Sequence, residues 1–150
     1  MLMKKYLIVS GDSFVDRKFR SAAHPEMDVS WPMWPELLAE KLDMRLINLG
    51  KSGQGNEYIY SALQDTIEEF KDKNEIGMVV VGWSQCFRMD YQDVGGEWCT
   101  ERINPYSDVF SWVKKSLRIC KSLEYMCEHY NIPYVQTQMI PMYIDWLRGL

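Results

Sequence analysis

Residues 11–13 read Gly-Asp-Ser and follow directly on the run Tyr6-Leu7-Ile8-Val9-Ser10. A serine hydroxyl held at a turn beside free backbone N–H groups is equipped for acyl chemistry. The oxygen attacks a carbonyl while the N–H groups hold the oxyanion that forms. Gly11 permits a tight turn and close backbone approach, and Asp12 or Ser13 suits the cap of a following helix. The same residue types are also ordinary turn formers, so the chemistry depends on what else reaches the same place. Three other stretches carry suitable groups: Asn48 to Asn56 with Gly50, Gly53 and Gly55; Trp83-Ser84-Gln85 with Arg88 beyond it; and the polar segment that holds His24.

Positioning these groups takes a sheet. Leu7-Ile8-Val9 has the continuous apolar pattern of a parallel strand covered on both faces. Ligands of open α/β sheets bind beyond the carboxyl ends of such strands. A long polar connection follows from Asp16 to Ser30, and loops of that size in a compact domain are commonly functional. Trp31-Pro32-Met33-Trp34-Pro35 then opens a helix, since proline is tolerated in a first turn. Trp34, Leu37, Leu38 and Leu42 share one face of it at helical spacing. Met44 to Leu49 predicts a second strand, and a helix follows with Ile59, Leu63, Ile67 and Phe70 inward. Met78 to Gly82 is the third strand. Residues 91–105 read as a polar excursion over the active edge. Asp108 to Tyr130 predicts the longest helix, with an apolar stripe of Val109, Val113, Leu117, Cys120, Leu123, Cys127 and Tyr130 and with His129 on the opposite face. Tyr134 to Met139 is the fourth strand, and Pro141 opens an amphipathic end with Ile144, Trp146 and Leu147. Four alternations of strand and helix predict a parallel sheet with right-handed crossovers.

Composition narrows the function classes. The 150 residues suffice for one domain with a proper core. A net charge of −4 argues against nucleic-acid backbone binding as the main activity. No stretch reaches the roughly 18 apolar residues of a membrane span. The apolar start runs into Gly-Asp-Ser rather than a cleavage site, so it reads as the first strand and not a leader. Cys86, Cys99, Cys120 and Cys127 form no Cys-x-x-Cys pair and have no histidine at ligand spacing, so no metal is expected and reduced thiols in a cytoplasmic protein are. Gly50-Lys51-Ser52 is not a phosphate loop, because the glycine required five residues earlier is Arg45.

Three strand ends together resemble the SGNH (GDSL-type) hydrolase family. Its first block, Gly-Asp-Ser after strand one, matches Gly11-Asp12-Ser13. The resemblance makes Ser13 the nucleophile and oxyanion donor, with Asp12 supporting the site. Its second block is similar to Asn48-Leu49-Gly50-Lys51-Ser52-Gly53, and makes Gly53 a second backbone donor. Trp34-Pro35-Glu36-Leu37-Leu38 is similar to the segment that precedes that block. The third block, Gly-x-Asn-Asp, departs: Gly82-Trp83-Ser84-Gln85 leaves the register open by one residue, so either Ser84 or Gln85 replaces the asparagine donor. Both can donate a hydrogen bond. Asn56 and Arg88 join them as candidate oxyanion or substrate-binding residues. The fourth block, Asp-x-x-His, has no match, and the chain looks like the first two-thirds of the family's domain. His24 is then the candidate base.

The expected fold is a three-layer α/β/α sandwich on a parallel, flavodoxin-like sheet of order 2-1-3-4, one SGNH-hydrolase-like domain over 1–150, apparently shortened at its C-terminus. The expected activity is hydrolysis of small acyl esters or acetylated carbohydrate, weak or absent in this chain, with no cofactor, no metal, no nucleic acid and no membrane. The alternative is a non-catalytic carbohydrate- or protein-binding module of the same fold, with Trp31, Trp34, Trp83, Trp98 and Trp112 as stacking surfaces. Strand four is expected to be an open edge through which copies of the chain associate.

Overall fold

The structure, a computed structural model, describes residues 3–138 and 141. Four strands, β1 (Tyr6–Ser10), β2 (Arg45–Asn48), β3 (Ile76–Trp83) and β6 (Tyr134–Gln138), form one sheet of order β2-β1-β3-β6. All three pairings are parallel. Three helices, α1 (Trp34–Lys41), α2 (Asn56–Glu69) and α3 (Val109–His129), make the crossovers. The first strand therefore lies between the second and third, as the strand pattern predicts. Met139 and the segment with Ile144, Trp146 and Leu147 lie outside the described residues.

Alternation along the strands divides the core in two. Ile8, Val79, Val81 and Trp83 pack with Ile59, Leu63 and Ile67 of α2 and Leu123 and Cys127 of α3. Leu7, Val9 and Val80 face the other way, onto Val15 and Ala39, with Trp34 and Leu38 beside them. Both faces of β1 are thus buried, which is why its sequence is a continuous apolar run. Burial pushes the Cys120 and Cys127 thiols up to about 11, so both stay protonated near neutral pH and serve as packing.

Several expectations need correction. Helix α1 buries Pro35 and Ala39, while Leu37 is 50% exposed. Trp34 and Leu38 of the expected face do pack on the core beside Ala39, so of Trp34, Leu37 and Leu38 only Leu37 departs. In α3, Leu117 is 56% exposed and Trp112 and Ser116 are buried beside the stripe, whose other expected members, Val109, Val113, Cys120, Leu123, Cys127 and Tyr130, pack on the core. Trp83 and Trp112 are buried, so neither is a stacking surface. Trp98 packs edge-on against Tyr58, and of the five only Trp31 is widely exposed, at 66%. The 91–105 excursion contains all but the first two residues of an antiparallel hairpin, β4 (Met89–Gln92) with β5 (Trp98–Glu101). Asp93 closes its turn by accepting the N–H groups of Gly95 and Glu97 on its side chain.

The two readings of α3 separate cleanly by mutation. Leu117→Lys should leave stability within about 0.5 kcal/mol, whereas Leu123→Ala should cost about 2–5 kcal/mol, both read from urea unfolding midpoints.

Candidate active site

The chain leaves β1 through a buried carboxylate. Asp12 is 2% exposed, and its side chain has three partners. Oδ1 accepts the Phe14 N–H at 3.1 Å, and Oδ2 accepts the Ser84 hydroxyl at 2.8 Å. The Arg88 guanidinium stands 3.8 Å from the same oxygen. The Asp12 carbonyl accepts the N–H groups of Val15 and Asp16 at 3.0 Å each, which closes one helical turn. Ser13 rides on that turn, half-buried. Its hydroxyl and its N–H have no hydrogen-bond partner among the described residues.

The glycine-rich loop after β2 is drawn onto this turn. Lys51 N–H donates to the Gly11 carbonyl at 3.0 Å, and Leu49 N–H to the Val9 carbonyl at 2.7 Å. Gly50 packs so tightly that a Cβ there would lie 2.6 Å from the Val15 carbonyl carbon and 2.7 Å from Asp16 N, so only glycine fits. Asp16 completes the tie. Its Oδ2 accepts both the hydroxyl of Ser52, at 2.6 Å, and the Ser52 N–H, at 2.9 Å. Gly53 follows at φ +80°, a left-handed conformation that favours glycine. It is exposed, and its N–H has no partner among the described residues.

Other polar groups at this edge are consumed in holding loops. Asn56 Oδ1 accepts the Ser84 N–H at 2.7 Å, while its Nδ2 donates to the Ser84 carbonyl and the Ser116 hydroxyl. Asp90 accepts the N–H groups of Gly55 and Tyr58 and the Thr100 hydroxyl. It thereby caps α2 and fastens the hairpin to it. Arg88 also donates to the Gln54 carbonyl at 2.7 Å.

The candidate residues therefore divide. Ser13 and Gly53 are brought to one edge of the sheet. The Ser84 hydroxyl is 0% exposed and committed to Asp12, so it is not a free donor. Gln85, half-buried, has an amide with no partner among the described residues. Asn56 and Arg88 are structural ties rather than open ligands. His24 lies in an exposed loop, with Nδ1 3.4 Å from Glu26 and its side chain 65% exposed. No contact joins it to Ser13 among the described residues. Also among the described residues, no cluster of three or more His, Cys, Asp or Glu is arranged to hold a metal ion, and no helix is long and apolar enough to cross a membrane. Asp16, Asp90 and Thr100 escape a reading by motif, because their partners are distant in sequence. Asp16 three residues after Ser13 and Ser52 beside Gly53 are the only local signal.

No protein-family model matches the chain, and no curated protein matches it.

The Asp16–Ser52 tie carries a pH signature. Partial burial works to raise the Asp16 carboxyl, but the hydrogen bonds from the Ser52 hydroxyl and N–H and the Lys18 N–H outweigh it and lower the pKa. A lowered folded value gives stability that is complete above the unfolded value, near 3.9, and is lost as pH falls through the folded one. Wild type should therefore be more stable than Asp16→Asn at pH 6. The difference should shrink below about pH 4, measured by chemical denaturation across that range.

Proposed function

We propose that this chain is a serine ester hydrolase of the SGNH type, with Ser13 as the acyl acceptor. One observation carries the reading. At an edge where Asp12, Asp16, Asn56, Ser84 and Asp90 are all paired, the Ser13 hydroxyl, the Ser13 N–H and the Gly53 N–H have no partner among the described residues. Those are the groups that such a reaction needs free. The Gln85 amide, which also has no partner among the described residues, is taken in this reading as the third donor.

In this reading the Ser13 oxygen adds to the ester carbonyl, and the negative charge that develops is held by the two N–H groups and Gln85. The serine proton passes to solvent, since no imidazole meets Ser13 among the described residues. Collapse expels the alkoxide, which takes a proton from water, and leaves an acyl-serine. Water then adds to that acyl group, releasing the carboxylate and restoring the hydroxyl. Asp12 does not touch the reacting atoms. It is a positioning residue that fixes the turn carrying Ser13.

A serine without a positioned base is a poor nucleophile near neutral pH. The polypeptide of residues 1–150 should therefore turn over an aryl acetate by no more than about 10³–10⁴-fold over water, the level an oxyanion site and binding supply alone. A fluorophosphonate should label Ser13 slowly, located by peptide mass spectrometry, and faster as pH rises. Ser13→Ala should remove the label and His24→Ala should leave it unchanged. Labelling elsewhere, or none at Ser13, would remove Ser13 from the chemistry. Fast turnover abolished in His24→Ala would make that histidine the base.

A further inference from the structure

We propose that the cavity beneath the 17–33 loop binds the hydrocarbon chain of a medium-length acyl group, so that the substrate is an ester of such an acid with a polar alcohol. The substrate class rests on the hydrolase reading, and the binding site does not. The cavity holds about 400 Å³ and is walled by the loop and α1, with Phe19, Met27, Trp31, Trp34 and Leu37 in its lining. Phe19, Met27, Trp31 and Leu37 are all large apolar residues left substantially open to solvent. Such a cluster at a concave site is unfavourable in water and marks a place for an apolar partner.

The polar groups at its wall are already answered. Arg17 donates to the Glu36 carboxylate and to the Val29 carbonyl. The indole N–H of Trp34 donates to the Phe14 carbonyl, and that of Trp31 to the Asp28 carbonyl. What the cavity offers a ligand is therefore apolar surface rather than a polar address. Its size fits a chain and not an acetyl group. A cavity of about 150 Å³ takes benzene, so this one has room for roughly ten carbons or more.

Position ties the cavity to the serine. Asp16 lines it, and the Asp12–Asp16 turn makes Ser13 and Asp16 neighbours three residues apart, roughly 5–6 Å between Cβ atoms. Asp16 also lines a second hollow of about 620 Å³, formed with Lys18, Asn48, Lys51 and Ser52. Asp16 and Arg17 thus stand between the apolar cavity and this second hollow, whose lining mixes charged and apolar groups. An ester bond held there would send its acyl chain to the first and its alcohol to the second.

The test uses Ser13→Ala, so that binding is read without turnover. Calorimetric titration with butyrate, hexanoate, octanoate and decanoate, below their micellar concentrations, should show affinity rising roughly two- to fourfold per methylene, the upper value corresponding to full burial. Leu37→Glu and Trp31→Ala, both surface changes, should each weaken decanoate at least tenfold, with circular dichroism unchanged. Affinity independent of chain length, or decanoate binding that survives both substitutions, would overturn the cavity. Chain-length-dependent binding without fluorophosphonate labelling of Ser13 would keep the cavity and remove the esterase. Labelling without chain-length dependence would do the reverse.

Discussion

A carboxylate buried at the end of a parallel strand must be answered on every side, and Asp12 sets that condition here. Desolvating an unpaired carboxylate costs several kcal/mol, so the surrounding chain is shaped to supply its partners. The Phe14 N–H fixes the turn, the Ser84 hydroxyl fixes the exit of β3, and Arg88 draws the start of the hairpin inward. The exit of β1 and the stretch that follows β3, 72 residues away at Ser84, are thereby tied to a single side chain. The turn that carries Ser13 is closed by its own backbone bonds and anchored to β3 by that tie.

A second tier of polar ties holds the loops around it. Asn56 bonds both backbone groups of Ser84, and Asp90 closes the N-terminus of α2. The positive end of α2 is therefore occupied by the protein's own carboxylate and does not await a ligand. Asp16 and Gly50 bring the glycine-rich loop against the serine turn, one by hydrogen bonds and the other by having no side chain. Ser13, Gly53 and Gln85 are among the groups at this edge that have no protein partner among the described residues.

The sheet was legible because parallel strands buried on both faces are written as apolar runs, and because polar clusters follow strands rather than precede them. Ser13 and Gly53 were legible for the same reason. The inner face of α1 was legible only in part: Trp34 and Leu38 pack on the core, but Pro35 and Ala39 are its buried residues and Leu37 faces out. In α3 the small Ser116 is buried where it accepts the Asn56 amide, and Leu117 next to it faces out. The hairpin escaped notice because its strands are only four residues each and carry polar residues that pair with α2. The choice between Ser84 and Gln85 could not come from spacing at all. Asp12 takes up the Ser84 hydroxyl, which leaves Gln85 as the donor that the proposed reading uses.

The most direct test of this account is a double-mutant cycle on the Asp12–Ser84 hydrogen bond, with Asp12→Asn, Ser84→Ala and the pair compared by urea unfolding. A buried hydrogen bond to a carboxylate, shared with the Ser13 turn, predicts a coupling of roughly 1.5–3 kcal/mol. Losses that simply add, within about 0.5 kcal/mol, would contradict the claim that Asp12 organises this edge.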